Sequence, residues 1–440
     1  MVMGRLSQLF TFKKGGVHPP EHKDLSEGCA IEEMPLPAEL AILLGQHIGA
    51  PAASVVKKGD VVTEGQVIGE VTKGLGAPVH SSCAGKVKNI GNAGHPLRIM
   101  APAVIIETDR EAARVTYEKH AWADLDGKAL LGLVKDAGIV GAGGAGFPTH
   151  AKLTPPPGMT ITELVINGAE CEPYLTADHR LMLERTAEVI EGIRILMKIL
   201  GVKKALVGIE DNKPDAIEKM SEAARGAEGI AICPLKTKYP QGGEKQLIYA
   251  LTKRRIASGA LPASVGVVVQ NVATANAVYE AVVLRKPMYE RVVTVSGLGI
   301  KRPANLLVRV GTRISDIVEY LGGTTENLKK VILGGPMMGF ATSDLSTPTT
   351  KTTSGILFLT EDEVDLSEGG PCVRCGWCLD ACPMGLEPKE IALYVEAGKG
   401  KETERFGVKD CFECGSCAFM CPAKRPLVQM IRLAKQQIRR

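Results

Sequence analysis

The sequence predicts a multidomain α/β protein, and three observations carry that prediction. Between residues 111 and 287 short apolar strands alternate with amphipathic helices. That pattern builds a mostly parallel sheet covered on both faces. Residues 1–110 are rich in Gly, Pro and Val and alternate apolar with polar positions between tight turns, as a small β domain does. At the other end, eight of the twelve cysteines fall between Cys372 and Cys421, in two copies of one motif. A chain of 440 residues has room for roughly three domains of ~150 residues.

The elements follow in order. PAASVVKKGDVVTEGQVIGEV (51–71) reads as short strands turning at Lys58-Gly59-Asp60 and Glu64-Gly65-Gln66. APVHSSCAGKVKNIG (77–91) reads as another hairpin. DGKALLGLVKDAG has helical periodicity, ELVIN (163–167) is a strand, and residues 179–200 read as one long helix stopped by Gly201. Strands at 204–210, GIAICPL and 265–271 alternate with helices KPDAIEKMSEAAR, GEKQLIYALTKRR and ATANAVYEAVVLR. Residues 288–358 turn β again: a hairpin, the short helix ISDIVEYLG and the strand KKVILGG form a β-grasp-like unit. The Thr/Ser/Gly-rich stretch 325–355 reads mainly as connecting loop. From 359 to 440 the chain reads as helical and built round the cysteines. The expected domains are therefore 1–110, 111–287, 288–358 and 359–440.

Composition excludes several functions. A net charge of +4 is small for this length and argues against a nucleic-acid binder. No apolar stretch of about 7–15 residues opens the chain, so no signal peptide is expected. Residues 256–279 carry no charge, but their Ser, Pro, Gly, Gln and Asn speak for a buried strand and a helix start rather than a membrane span.

The cysteines carry the sharpest signal. Cys372, Cys375, Cys378 and Cys382 follow C-x2-C-x2-C-x3-C, with Pro383 next. Cys411, Cys414, Cys417 and Cys421 repeat the motif, with Pro422 next. Three thiolates at this spacing wrap one cuboidal cluster, and the fourth ligates the other cluster. The pattern assigns one [4Fe–4S] cluster to Cys372, Cys375, Cys378 and Cys421. The second goes to Cys411, Cys414, Cys417 and Cys382. Structural zinc needs only paired C-x2-C ligands and leaves the third and fourth cysteines unexplained. The other cysteines are scattered singly, so a disulfide framework is not expected.

GAGGAGFPTHAK (141–152) raises a nucleotide question. Gly141, Gly143 and Gly146 match G-x-G-x-x-G, and Glu170 falls where a Rossmann acid would. A Rossmann loop opens a helix, whereas Pro148 and Pro155-Pro156-Pro157 forbid a full one here. The glycines let backbone N–H groups approach a phosphate, and Lys152 adds a point charge. On the glycines alone, a turn with no ligand stays open.

GAGGAGFPTHAK, INGAECEPYLTADHR (166–180), YPQGGEKQL (239–247) and VVVQNVATAN (267–276) occur in the order found in the NADH-oxidising flavoprotein subunit of respiratory complex I. Together with FTFKKGGVHPPEHK (10–23), the β domain, the β-grasp unit and the double cysteine motif, the chain resembles the C subunits of the Rnf complexes. The resemblance implies non-covalent FMN, with phosphate and ribityl on Gly141, Gly143, Gly144, Gly146 and Lys152. It implies that Asn167, Glu170, Asn271 and Thr274 line the flavin. Glu172 and Glu244 would contact NAD(H), with Phe147 and Tyr239 nearby. The complex I loop has Arg where Ala142 stands, and Asp where Ala169 stands. No side-chain acid/base is required.

The implied role is a peripheral subunit at the cytoplasmic face of a bacterial cell membrane. Electrons would pass between NAD(H), FMN and two [4Fe–4S] clusters, linked to ferredoxin and ion translocation through Rnf membrane and ferredoxin-like partner subunits. An NADH-dependent cobalamin reductase of a microcompartment and a non-catalytic iron–sulfur relay stay open as alternatives.

VKKGDVVTEGQVIGEVTKG resembles a biotinyl/lipoyl-type barrel-sandwich domain, but Lys73 lacks the usual Met neighbours and the domain reads as a docking surface. Trp377 is expected to shield a cluster from water. His18 and His22 read as loop histidines. The tail PLVQMIRLAKQQIRR presents an apolar face and four cations, either as a solvated final helix or as a docking helix for partner subunits or lipid.

Overall fold

The computed structural model describes residues 9–96 and 98–439. At its centre lies a four-stranded, fully parallel sheet in the order Ile230–Leu235, Ala205–Glu210, Glu163–Gly168, Val267–Asn271. Alternating side chains feed two cores. Leu164, Ile166, Val207 and Val268 pack with the helices Thr186–Leu200 and Val272–Val283. Val165, Leu206, Val267 and Val269 pack with Leu247, Ile248 and Leu251 of the helix Glu244–Thr252. A sheet with helices on both faces results, as the strand–helix alternation implies.

The long helix expected over 179–200 is two helices, Ala177–Glu184 and Thr186–Leu200, broken at Arg185. The Thr186 hydroxyl donates to the Met182 carbonyl at 2.6 Å and occupies an acceptor that a continuous helix gives to a backbone amide. Gly201 is in the left-handed region and ends the second helix as expected.

The β domain is two facing sheets. One runs Glu39–Leu43, Arg98–Thr108, Gly85–His95, Val61–Val62; the other runs Ala53–Ser54, Val67–Glu70, Val79–His80. Leu40, Ile42, Ile68, Val79, Val87 and Ile106 fill the space between them. The hairpin expected at 77–91 does not form. Val79–His80 pairs in the small sheet, and Gly85–His95 pairs with Arg98–Thr108 in the large one. The buried Ser81 hydroxyl, donating to the Cys83 carbonyl at 2.7 Å, stabilises the corner where the chain changes sheets.

Residues before this sandwich belong elsewhere. Phe10 and Val17 bridge to Leu235 and Tyr239 of the central domain. Ile31–Glu33 adds a parallel edge to a six-stranded sheet in the order Ile31–Glu33, Ala304–Arg309, Glu290–Ser296, Gly355–Thr360, Leu328–Leu333, Phe340–Thr342. The helix Ile314–Tyr320 covers that sheet through Ile314 and Ile317. The stretch expected mainly as connecting loop thus contains an antiparallel pair, Leu328–Leu333 with Phe340–Thr342.

Its threonine-rich end is not a surface loop. Thr347, Thr349, Thr350, Lys351 and Thr353 are all buried. Lys351 donates to Pro78 O at 2.9 Å and Gly138 O at 2.7 Å, which ties the β-grasp unit to the sandwich and to the end of the helix Gly127–Asp136. Burial pushes its ammonium down to about 7.

The C-terminal domain is helical, with Pro388–Glu396 packed on Leu427–Arg439 through Ile391, Ala392, Leu427, Ile431 and Ala434. Its two motifs repeat one backbone shape: φ is +57 at Arg374 and +85 at Gly376, then +63 at Glu413 and +82 at Gly415. The final helix turns cations inward. Arg432 and Lys435 both pair with Glu413 at 2.7 Å. These two serve the cluster domain instead of an outside surface; Arg440 lies outside the described residues. Among the described residues no helix is long and apolar enough to cross a membrane.

Candidate flavin crevice and cluster cavities

In the central sheet the chain order runs from Glu163–Gly168 outward to Ile230–Leu235, then jumps back to Val267–Asn271 on the other side. Such a switch point opens a crevice at the carboxyl ends of the strands, where α/β sheets take their ligands. Asn167 and Asn271 end the two strands there and are register partners. Each amide is held. Asn167 Nδ2 donates to Gly242 O at 3.0 Å, and its Oδ1 accepts from Ala169 N at 3.1 Å. Asn271 Oδ1 caps the following helix by accepting from Ala273 N at 2.8 Å, and its Nδ2 donates to Asp178 Oδ2 at 2.6 Å.

The glycine loop closes over this crevice. Gly141 N donates to Phe147 O at 2.9 Å, and the loop ends in the single helical turn Thr149–Lys152, as its prolines require. Thr274 Oγ1 accepts from Ala142 N at 3.0 Å. A Cβ on Gly143 would stand 2.8 Å from Asn271 Nδ2, so only glycine lets the loop lie on that amide. Gly146, at φ +70, sits against Thr352 of the β-grasp unit and Gln46 and His47 of the sandwich. Nothing lies within 4 Å of a Cβ on Gly144, so that backbone is open to a ligand. Lys152 reaches Glu244 at 2.6 Å, and Phe147 is 38% exposed at the rim.

Glu170 and Glu172 are not solvated loop acids. Glu170 caps the helix Ala177–Glu184, accepting from Asp178 N at 2.6 Å and His179 N at 3.1 Å. Glu172 accepts from Met337 N at 3.0 Å and Met338 N at 2.9 Å. Burial pushes its carboxyl up to about 7, against the pull of those amides. Tyr239 is 2% exposed, and its hydroxyl donates to Cys414 O at 2.7 Å. Glu172 and Tyr239 therefore stand at a domain junction, apart from the open rim of Phe147 and Glu244.

Sequence reasoning missed four residues that shape this site. Asp178 lies within the quoted INGAECEPYLTADHR and was signalled only as part of it. Burial first, then the Glu170 charge, raise its carboxyl to about 7. Lys23 donates to Glu170 O, Glu172 O and Leu175 O, and Lys213 donates to Ala169 O, so two buried lysines hold the 169–175 loop. Arg291 donates to Ala142 O at 3.2 Å and Lys351 O at 2.7 Å. It brings a guanidinium beneath the loop position where complex I has an arginine.

The cysteines gather into two cavities. Cys372, Cys375, Cys378 and Cys421 line one, with Lys389 and Arg425. Cys382, Cys411, Cys414 and Cys417 line the other, with Met384, Leu386, Phe412 and Ile431. Each cavity takes three cysteines from one motif and the last from the other. Leu386 N and Glu413 N donate to the sulfurs of Cys382 and Cys411, both at 3.4 Å. Among the described residues no three His, Cys, Asp or Glu side chains converge on a single-ion site. The second cavity is the inner one. Lys245 pairs with Asp410, Gln246 donates to Pro383 O, and Gly16 N donates to Ala381 O, all tying its walls to the rest of the protein. The first faces outward, where Cys375 is exposed and Val373 and Trp377 are 65% and 50% exposed. Trp377 stands half out of the protein and does not line that cavity.

Fold and site define a class: a flavin-type α/β domain with a sandwich, a β-grasp unit and a two-cavity cysteine domain. Family comparison agrees piece by piece. Residues 10–111 match the RnfC barrel sandwich hybrid domain, and 134–280 match the Nuo51 FMN-binding domain. Residues 292–341 match the SLBB domain, and 371–424 match the 4Fe-4S dicluster domain. The C subunit of the proton-translocating ferredoxin:NAD(+) oxidoreductase complex of Clostridium ljungdahlii is 47% identical over 97% of this chain and 94% of its own. Its Na(+)-translocating counterpart from Acetobacterium woodii is 42% identical over 97% of this chain and 96% of its own. The C subunit of the ion-translocating oxidoreductase complex of Rhodobacter capsulatus is 43% identical over 97% of this chain and 83% of its own. A crystal structure of NAD+-reducing [NiFe]-hydrogenase in the H2-reduced state aligns at 19% identity and TM-score 0.49, over 71% of this chain and 62% of that chain. The chain belongs to the RnfC family, the C subunits of the ion-translocating ferredoxin:NAD+ oxidoreductase, or Rnf, complexes.

Proposed function

We propose that this chain passes electrons between NAD(H), one non-covalent FMN and two [4Fe–4S] clusters. It does so as a peripheral subunit on the cytoplasmic face of a membrane Rnf-type complex. Ferredoxin:NAD+ oxidoreduction and ion translocation are shared with partner subunits. The observation that carries the reading is a junction. The switch-point crevice and the inner cysteine cavity meet at Tyr239, which stems from the loop beside Asn167 and bonds the carbonyl of Cys414.

The residues present suit the groups proposed. FMN accepts a hydride and releases electrons singly, which joins a nicotinamide to a cluster. Gly144 leaves backbone open to a phosphate, and Lys152 supplies charge beside it. Asn167, Asn271 and Thr274 are fixed by partners within the protein, so the crevice keeps its shape without a ligand. Phe147 and Glu244 stand at the open rim, where a nicotinamide nucleotide enters. In each cavity four cysteines stand round an apolar pocket, as a cuboidal cluster requires. Burial raises the thiols of Cys378, Cys411, Cys414 and Cys417, so iron is what makes them thiolates.

The order of groups follows: crevice, inner cavity, outer cavity, partner. The exposed side of Cys375 is where a one-electron partner exchanges with the chain. The test is the FMN, iron and acid-labile sulfide content of anaerobically purified protein. One FMN and two four-iron clusters per chain support the reading; iron–sulfur with no flavin, even after incubation with FMN, leaves a plain relay.

A further inference from the structure

We propose that Glu172 is a positioning residue for electron transfer: it clasps the β-grasp unit and the inner cysteine loop against the crevice, and does not contact the nicotinamide nucleotide. This rests on the flavin and cluster reading above and assigns Glu172 a place within it.

Both carboxylate oxygens are committed. Oε2 accepts from Met337 N at 3.0 Å and Oε1 from Met338 N at 2.9 Å, two successive amides of the turn between Leu328–Leu333 and Phe340–Thr342. That turn is built for the contact. A Cβ on Gly335 would stand 2.3 Å from Glu172 Oε2, so the loop reaches the carboxylate only as glycine. The same turn lies on the cluster domain, since a Cβ on Gly415 would stand 2.6 Å from Met337 O. On the other side of the carboxylate the Tyr239 hydroxyl is 3.4 Å from Oε1 and donates to Cys414 O at 2.7 Å. Val17, Tyr239, Ala381 and Cys414 pack as one small core, with Cys171, Met337 and Phe412 at its edge. Lys23 fixes the backbone beneath by donating to Glu170 O and Glu172 O, both at 3.0 Å.

Three domains thus meet on one carboxylate, between the crevice and the cavity that would hold the inner cluster. One-electron transfer slows steeply as the gap between its two groups widens. Loosening this clasp therefore acts on the step between flavin and cluster, whereas losing a nucleotide contact acts on NADH binding.

The test is anaerobic stopped-flow absorbance on the intact wild-type chain and on Glu172→Gln and Gly335→Ala, both loaded with FMN and iron. EPR after dithionite checks that both clusters are present. In both variants flavin bleaching by NADH keeps its rate and its NADH dependence to within about twofold, while cluster reduction after bleaching slows about tenfold or more. Agreement between the two variants matters, because Gly335 offers no side chain to a nucleotide. A rise of about tenfold or more in the NADH concentration needed for Glu172→Gln, with cluster reduction unslowed, overturns the proposal in favour of a nucleotide contact. Unchanged kinetics in both variants overturns it as well. A wild-type chain in which NADH bleaches no flavin sinks instead the functional reading beneath it.

Discussion

Asn167 and Asn271 face each other in register at the carboxyl ends of neighbouring parallel strands, each with its amide pinned from behind. Gly242 holds the first and Asp178 the second, so the floor of the crevice is set by residues from four separate segments of chain. The behaviour of this floor under mutation separates fold from function.

Asn271→Ala removes both a helix cap and the partner of Asp178. Loss of the cap costs about 1 kcal/mol, which lowers Tm by roughly 2–4 °C in a chain of this size. Asn271→Ser keeps a cap acceptor and restores most of that Tm, but not the bond to Asp178. Flavin retained through gel filtration falls in both variants if the amide itself shapes the site. Equal flavin content in Asn271→Ser and wild type places the amide outside the flavin's contacts.

Two neighbouring glycines give a sharper contrast. Gly143→Ala drives a methyl into Asn271 at 2.8 Å and disturbs the flavin-free protein as well as FMN binding. Gly144→Ala meets nothing within 4 Å, so the flavin-free protein keeps its Tm. If a phosphate lies on that backbone, FMN affinity measured by fluorescence quenching still drops about tenfold. Unchanged affinity in Gly144→Ala removes the loop from phosphate binding.

Asp178 sets a pH dependence. Its folded carboxyl is raised from 3.8 to about 7 by burial and by Glu170, against Asn271, Arg291 and Lys213, which favour the charged form. Between those values the folded chain keeps a proton that the unfolded chain gives up, so ionisation erodes stability as pH climbs. The penalty is absent near pH 3.8 and complete above about pH 7. Asp178→Asn therefore gains Tm over wild type at pH 8 and matches it at pH 4. A constant difference across this range excludes a buried ionisation at Asp178.

The crossed cysteine cavities predict which cluster each fourth ligand serves. Cys421→Ser perturbs the cluster held by Cys372, Cys375 and Cys378, and Cys382→Ser the one held by Cys411, Cys414 and Cys417. Cluster-resolved EPR of the two variants reports this directly. Loss of the 411–417 cluster in Cys421→Ser contradicts the crossing.

Much of this was legible because local chemistry announces itself. The four central strands and the helices between them show in period and in helix stops such as Gly201. The cysteine spacing alone indicated the crossing that the two cavities display. What was not legible depends on contacts far apart in sequence. Nothing near Ile31 says that its strand will join Asn305, 274 positions later. The break at Arg185 rests on one threonine hydroxyl. Lys23, Lys213 and Lys351 look like ordinary surface lysines in sequence, yet each is buried and spends its ammonium on backbone carbonyls. Glu172 and Tyr239 were expected beside a nucleotide through the resemblance to complex I. Only tertiary structure reveals the Met337–Met338 turn that claims the carboxylate.

The central claim is that one chain joins a nicotinamide site, a flavin and two iron–sulfur clusters. An anaerobic titration of the purified protein with NADH, followed by absorbance and low-temperature EPR, tests it most directly. Bleaching of bound flavin followed by signals from both reduced clusters is the predicted result. Clusters that dithionite reduces but NADH does not, in protein reconstituted with FMN, would contradict it.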